Sequence, residues 1–425
     1  MKKVSFKLFE GLIFLLVLLI FPRYVQAQSY ITFSRELQAI IESELFRIGP
    51  FRIDPAFMLS DVGYDGNVYY QREGDEPVTD YTATFSLPVR VSVLVRDYLI
   101  LSLSETPSYV YYMEQSRERR WNNIFLPEFK LLLFRRFVLS GRYSGSNRRR
   151  RSHSEFDARI NVVRKEYSGS FFYETQRATS LGVTASSGNM VFEDYTLPGQ
   201  DIPISEILNR REQIISGEFY YQIFPNSFFF LRGGYTDYKF ENLASQDRNS
   251  FSYQASTGLR FPLLGRIRGT FELGYKKLFP REEGRDGFSG LFGNTSLEWR
   301  MQRFTLRGRF GRDTRFSYWT DSMYYIDNNI GGGVSFYLTR FLRIDYNLLY
   351  QEGDYPGLFS ERQPDGSMKE FKRKDIYKTH TMGIVFRIFR DVGLGVNINF
   401  WDRSSNYHIV ERDRFFVGGY LTYDF

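Results

Sequence analysis

Apolar side chains at every second position, repeated in segment after segment of a 425-residue chain, constrain this sequence more than any other feature. Successive side chains of a strand point to opposite faces, so a strand with lipid on one side and water on the other reads apolar at alternate positions. The last segment does so. Phe415, Val417, Gly419, Leu421, Tyr423 and Phe425 share one face, and Phe416, Gly418, Tyr420, Thr422 and Asp424 the other. Leu342, Ile344, Tyr346, Leu348 and Tyr350 alternate likewise with Arg343, Asp345, Asn347 and Gln351. Charges so deep in a strand are tolerated only on the water side.

Strands are expected near 51–62, 79–95, 99–115, 122–134, 137–150, 154–165, 167–179, 211–224, 227–241, 249–263, 266–279, 289–301, 303–316, 324–338, 341–353, 372–388, 391–403 and 412–425. The fold class is therefore all-β: a transmembrane antiparallel up-and-down β-barrel of about eighteen strands, or about sixteen to twenty if one hairpin is miscounted. Short turns at Arg96-Asp97, Arg135-Arg136, Lys165-Glu166, Pro225-Asn226, Leu264-Gly265, Gln302, Thr339-Arg340 and Phe389-Arg390 alternate with longer connections, the longest near 180–210 and 354–371. Short periplasmic turns and long outer loops alternate in this way. Ahead of the barrel, Ser34 to Phe46 carries Leu37, Ile40, Ile41 and Leu45 at helical spacing, with Ser34 at the N-cap. This is a short amphipathic helix in the periplasm or in the barrel mouth; an extra strand or a disordered leader fits the same residues.

Residues 1–27 read as a signal peptide: Lys2, Lys3 and Lys7 precede an apolar run from Leu12 to Phe21, and Val25 and Ala27 satisfy the small-residue rule for cleavage. Residues 28–50 are expected to form a periplasmic segment holding the helix, and 51–425 the barrel. The apolar run is too short for a retained transmembrane helix. The absence of cysteine excludes a disulfide framework and a lipid-anchored amino terminus. The chain holds 31 tyrosines and 42 phenylalanines, yet its mean hydropathy is negative. A bacterial outer-membrane barrel combines these properties, with aromatic girdles outside and a polar lumen. The net charge of +7 is modest and, without a nucleic-acid module, implies no nucleic-acid partner.

Strand phase directs Arg90, Arg142, Arg159, Arg232, Arg260, Arg268, Arg307, Arg309, Arg343 and Arg387 into the lumen, opposed by Glu155, Asp157, Glu174, Glu218, Glu272, Glu298 and Asp345. Tyr220, Tyr238 and Tyr337 point inward on the same phase. Such a set either favours anionic or polyhydroxylated solutes, because guanidinium groups bind carboxylates and phosphates as forks, or forms an ion-pair lattice that fills the barrel. Arg148, Arg149, Arg150 and Arg151, followed by His153, are expected as a basic patch on a surface loop, either solvated or clamping phosphates of lipopolysaccharide or an acidic polysaccharide.

No catalytic residue is expected. His153, His380 and His408 are the only histidines; His153, Ser154 and Glu155 are adjacent and so point to alternate faces, and no nucleophile elbow occurs. Histidine pairs at ligand spacing are absent, so neither metal nor cofactor is expected and the chain reads as a non-enzyme.

The run from Arg47 to Pro55 (Arg-Ile-Gly-Pro-Phe-Arg-Ile-Asp-Pro), leading to Gly63-Tyr64-Asp65-Gly66-Asn67-Val68, resembles the opening strand and first loop of outer-membrane β-barrel porins often associated with exopolysaccharide or capsule gene clusters. Gly269 to Lys277 resembles a later strand of the same group. The resemblance implies a passive pore, or an export or surface component for an extracellular polysaccharide, and carries over no site residues. The expected partners are outer-membrane lipid and lipopolysaccharide, an anionic or neutral polysaccharide, and the barrel-assembly machinery, for which Leu421, Tyr423 and Phe425 would be the signal. Two other readings stay open: a structural or binding barrel with a blocked lumen that presents its loops, and a membrane enzyme acting on lipid or glycan.

Overall fold

The computed structural model describes residues 32–43, 46–71, 74–151, 155, 158–175, 179–196, 201–224, 227–264, 266–362, 366–389 and 392–424. Eighteen antiparallel strands close into a barrel. They are β1 (Phe51–Asp65), β2 (Asp80–Ser86 continuing as Val89–Val95), β3 (Leu99–Glu105 continuing as Ser108–Tyr112), β4 (Arg120–Leu133), β5 (Phe137–Arg150), β6 (Ile160–Glu174), β7 (Ser180–Phe192), β8 (Arg210–Phe224) and β9 (Ser227–Phe240). The second half comprises β10 (Ser250–Leu264), β11 (Ile267–Pro280), β12 (Phe288–Arg300), β13 (Phe304–Phe316), β14 (Tyr324–Tyr337), β15 (Leu342–Arg362), β16 (Met368–Arg387), β17 (Val392–Ser405) and β18 (Arg412–Asp424).

Each strand bonds to the next, and β1 closes on β18 with Phe57 opposite Tyr423, Leu59 opposite Leu421 and Asp65 opposite Phe416. Closure leaves the wall no open edge, which hydrocarbon would not tolerate. Among the described residues no helix is long and apolar enough to cross a membrane; the strands make the crossing.

The alternation in the sequence becomes two surfaces. On β17, Leu394, Val396, Ile398 and Phe400 stand exposed outside, while Gly395, Asn397, Trp401 and Arg403 are buried inside. On β18, Phe415 and Tyr423 face out and Phe416 is buried in the lumen. β2 and β3 are each interrupted beside a proline, at Leu87-Pro88 and Thr106-Pro107, because proline has no N–H for the ladder. Their carbonyls still serve: Leu87 N donates to Pro107 O at 3.0 Å and Ala56 N to Pro88 O at 2.8 Å.

The strand count matches the sequence reading, but one hairpin lies elsewhere. The expected strands 154–165 and 167–179 are a single strand, β6, and Lys165-Glu166 is not a turn. The missing strand is β7, inside the expected loop 180–210. A strand crosses hydrocarbon with about nine to eleven residues, so the outer ends of these longer strands carry charge and mimic a turn. The expected loop 354–371 is likewise mostly strand, the extended hairpin of β15 and β16.

Two short helices occupy the mouths. Helix α1 (Phe33–Ser43) begins where Thr32 O accepts from Arg35 N and Glu36 N, two residues before the expected cap Ser34. It stops short of Phe46, because Phe46–Ile48 is extended and pairs with the start of β1. Helix α2 (Ile204–Leu208) lies in the connection between β7 and β8.

Candidate functional site: the lumen and its two mouths

At the short-turn end, the end that faces the periplasm in outer-membrane barrels, α1 fills the mouth. Its apolar face, Phe33, Leu37 and Ile40, packs on Leu94, Ile100, Val138, Phe172, Tyr220, Phe228 and Phe230. Burying such a side chain contributes roughly 1.5–3 kcal/mol, so packing is the main hold. Two polar anchors supplement it: Lys130 Nζ donates to Glu36 Oε2 at 2.5 Å, and Phe33 N donates to Glu174 Oε1 at 3.2 Å. Lys130 also pairs with Glu128 at 3.1 Å, so undocking of α1 would not strand the ammonium.

Above α1 the wall is a ladder of charges. Arg232 bridges Glu218 and Glu272, each at 3.3 Å, and Glu272 also accepts from Ser256 Oγ at 2.7 Å. Glu298 gathers Arg268, Arg300 and Arg307 at 2.9, 2.7 and 3.0 Å. Arg343 Nε donates to Asp345 at 2.9 Å, and Lys276 pairs with Asp313 at 2.8 Å. Arg309 lies on the same inward face, its side chain against Gly331.

The long-loop mouth is filled from within. Ile204, Ile207 and Leu208 of α2 pack with Ala158, Ile160, Phe192, Phe240, Phe316, Tyr318 and Tyr324 as an apolar core inside the wall. Beside it lies a buried ionic network. Asp375, fully buried, accepts from Arg373 Nη2 at 2.7 Å, Arg403 Nη2 at 2.8 Å, Ser405 Oγ at 2.7 Å and Tyr377 Oη at 3.1 Å. Trp319 and Tyr355 flank the Arg373 guanidinium, 4.8 and 4.5 Å from it. From the β5–β6 connection, Glu155 accepts from Ser317 Oγ at 2.6 Å and Tyr318 N at 2.8 Å; burial pushes its carboxyl above the usual glutamate range. Arg248 donates to the carbonyls of Ser317 and Trp319, and burial pulls its guanidinium down to about 10. At the seam, Arg414 grips Asp65 with two hydrogen bonds at 2.8 and 2.6 Å.

The arginine run is not a solvated surface patch. Arg149 is held by Glu118, at 2.9 Å, and by Glu193, at 2.5 Å, carboxylates from the connections on either side. The Arg151 guanidinium lies 4.0 Å from the ring of Trp401, on β17. Both residues staple the outer mouth, because neighbouring connections supply the counter-charges of Arg149 and the strand β17 supplies the ring under Arg151. Arg148 and Arg150 end β5; His153 and Ser154 lie outside the described residues.

The other residues singled out by sequence divide as follows. Arg90 stands opposite Asp54, and Arg142 opposite Glu128, on neighbouring strands. Arg159 is 3.8 Å from Asp65 and lies over Tyr112. Arg387 is exposed at the short-turn end of β16. Leu421 and Tyr423 line the seam, while Phe425 and the signal segment lie outside the described residues. His380 is on the outward face, 3.0 Å from the Tyr346 hydroxyl, and His408 is exposed beside Glu411. Glu118, Glu193, Arg373, Asp375, Trp401 and Arg403 carry no sequence signal of their own, although they organise the outer mouth with Asp65.

The siderophore receptor PirA of Acinetobacter baumannii aligns over 88% of this chain and 80% of its own, at 9% identity and a TM-score of 0.43. A variant of the ferric enterobactin receptor PfeA of Pseudomonas aeruginosa aligns over 88% and 81%, at 9% identity and 0.45. The outer membrane transporter YddB of Escherichia coli aligns over 85% and 60%, at 12% identity and 0.39. A search of curated proteins finds no match. The model of the family described as "Putative beta-barrel porin 2" matches residues 138–421, from β5 through most of β18, and the chain belongs to that family.

Proposed function

We propose that this barrel is a porin-like conduit for polar solutes, with an extracellular polysaccharide chain as its cargo, and that it rests closed. The observation that carries the reading is the wall between the two mouths: Arg232, Glu218, Glu272, Glu298, Arg307, Arg343 and Asp345 give it charges of both signs, a surface that water wets. Its arginines suit carboxylates and hydroxyl-rich solutes. The plug at the short-turn end is held mainly by packing, with few polar bonds to break.

Ile40→Asp, which undocks α1, is expected to give discrete conductance steps in planar lipid bilayers where wild type stays closed, and Arg307→Glu combined with Arg309→Glu in that background to move the reversal potential toward cation selectivity. Absence of steps in the Ile40→Asp barrel, or an unchanged reversal potential when the two arginines are also changed, would overturn the conduit reading. The competing reading, a closed barrel that presents its outer hairpins, is favoured by the apolar core and Asp375 network that fill the outer mouth. It would prevail if no steps appear even after α1 is undocked by Ile40→Asp.

A further inference from the structure

At the short-turn mouth Arg260 and Arg35 lie along one run of aromatic rings, and among the described residues neither has a carboxylate partner. Arg260, on the inward face of β10, is 95% buried, as its relative exposure is 5%. Its Nε and Nη1 have no hydrogen-bond partner. Its guanidinium instead lies 5.6 Å from the ring centroid of Tyr220 and 5.8 Å from that of Phe230. Two inward glutamates of the same wall are committed elsewhere: Glu218 and Glu272 hold Arg232, and Glu218 also accepts from the Tyr220 hydroxyl at 2.6 Å. Arg35, on α1, is placed 5.7 Å over the ring of Phe228, and Phe228 is the cross-strand partner of Arg260. Among the described residues neither arginine makes an ion pair.

A buried guanidinium carries five rigid donors, and leaving donors unmet costs more than a neutral group would. Ring faces attract the charge but accept none of the in-plane N–H bonds. The matching partner is a planar or tetrahedral oxyanion that accepts several donors at once. One guanidinium belongs to the wall and the other to the plug, both along the same run of rings, Tyr220, Phe228 and Phe230, against which α1 itself packs. We infer that Arg260 and Arg35 form an anion site at the short-turn mouth that takes the carboxylate or phosphate group of a solute. The inference rests on the conduit reading only for the origin of that solute; binding itself does not require conduction.

The test is thermal unfolding of the full barrel in detergent, at constant ionic strength, titrated with D-glucuronate, inorganic phosphate, or D-glucose as the uncharged control. Wild type is expected to show saturable stabilisation by at least one anion and none by glucose. Arg260→Gln and Arg35→Gln are each expected to weaken that binding about tenfold or more, the scale of one charge-assisted interaction. Arg260→Lys, which keeps the charge but loses the fork, should fall between. Heat-modifiable migration in gels confirms that each variant is a folded barrel. Glucuronate binding alone assigns the site to carboxylated sugars, and phosphate binding alone to phosphorylated ones. Unchanged affinity in both glutamine variants, or no saturable binding of either anion by wild type, overturns the site. Binding without any conductance would leave the site standing and refute the conduit; conductance without binding would do the reverse.

Discussion

Asp375 is the side chain whose loss the outer mouth should tolerate least. It is fully buried and lies between two guanidiniums that are themselves buried, Arg373 and Arg403, at 2.7 and 2.8 Å. Changing Asp375 to alanine removes the carboxylate that both guanidiniums share, and removing one member of a buried pair costs about 3–5 kcal/mol. At about 1.4 kcal/mol per tenfold change, the folding equilibrium should shift by roughly two to three and a half orders of magnitude. Exposed pairs are worth only about 0–1 kcal/mol, so Lys374→Ala, which breaks the outward-facing pair with Glu352, serves as the control. Urea unfolding of the barrel in lipid vesicles, followed by tryptophan fluorescence, suits the measurement because Trp319 lies against Arg373 and Trp401 belongs to the adjoining cluster. Replacing the trio together, Asp375→Leu with Arg373→Met and Arg403→Met, should recover much of the loss, since apolar side chains need no counter-charge. An unfolding midpoint for Asp375→Ala equal to wild type would refute the reasoning. So would a triple variant less stable than the single one.

Glu155 should make stability fall as pH rises. Its carboxyl is held above the ordinary glutamate value by burial, so its contribution is present below that value and is lost as pH climbs through the raised one. Glu155→Gln is therefore expected to raise the urea midpoint relative to wild type at neutral pH and to converge with it in acid; a pH-independent gap would contradict this. At the seam, a Cβ on Gly63 would run into the Val417 carbonyl oxygen, which is backbone and cannot step aside. Gly63→Ala should sharply lower the fraction of heat-modifiable folded barrel, whereas Gly217→Ala, with nothing within 4 Å, should not; equal yields would show that the seam can shift.

What sequence could and could not reveal follows from the range of each force. Alternation is local, so the strands, their inward and outward faces and the wall charges were legible from residues such as Leu394 to Phe400. Lipid demands apolar side chains only across the hydrocarbon, so the polar outer ends of β6 and β7 imitated turn and loop. Nor did strand phase separate Asp375 from an ordinary wall carboxylate. Its burial depends on Glu155, Ser317 and Trp319 converging from connections far apart in the chain. The helical spacing of Leu37 and Ile40 specified an apolar face but not the surface it would meet.

One signal was nevertheless present in the sequence. Residues two apart on a strand share a face, and opposite charges recur at that spacing: Glu128 with Lys130 at 3.1 Å, Arg164 with Glu166 at 2.8 Å, Arg210 with Glu212 at 2.8 Å, Arg343 with Asp345 at 2.9 Å and Arg373 with Asp375 at 2.7 Å. Counting inward charges singly gives a basic lumen, whereas counting them in these pairs gives a wall that is largely self-neutralised. The basic excess then contracts to the arginines with no such neighbour. Arg260 is among them, and its strand partners Phe228 and Thr270 offer no carboxylate either. Any anion selectivity of this barrel should therefore depend more on neutralising Arg260 than on neutralising Arg343, whose charge Asp345 already offsets.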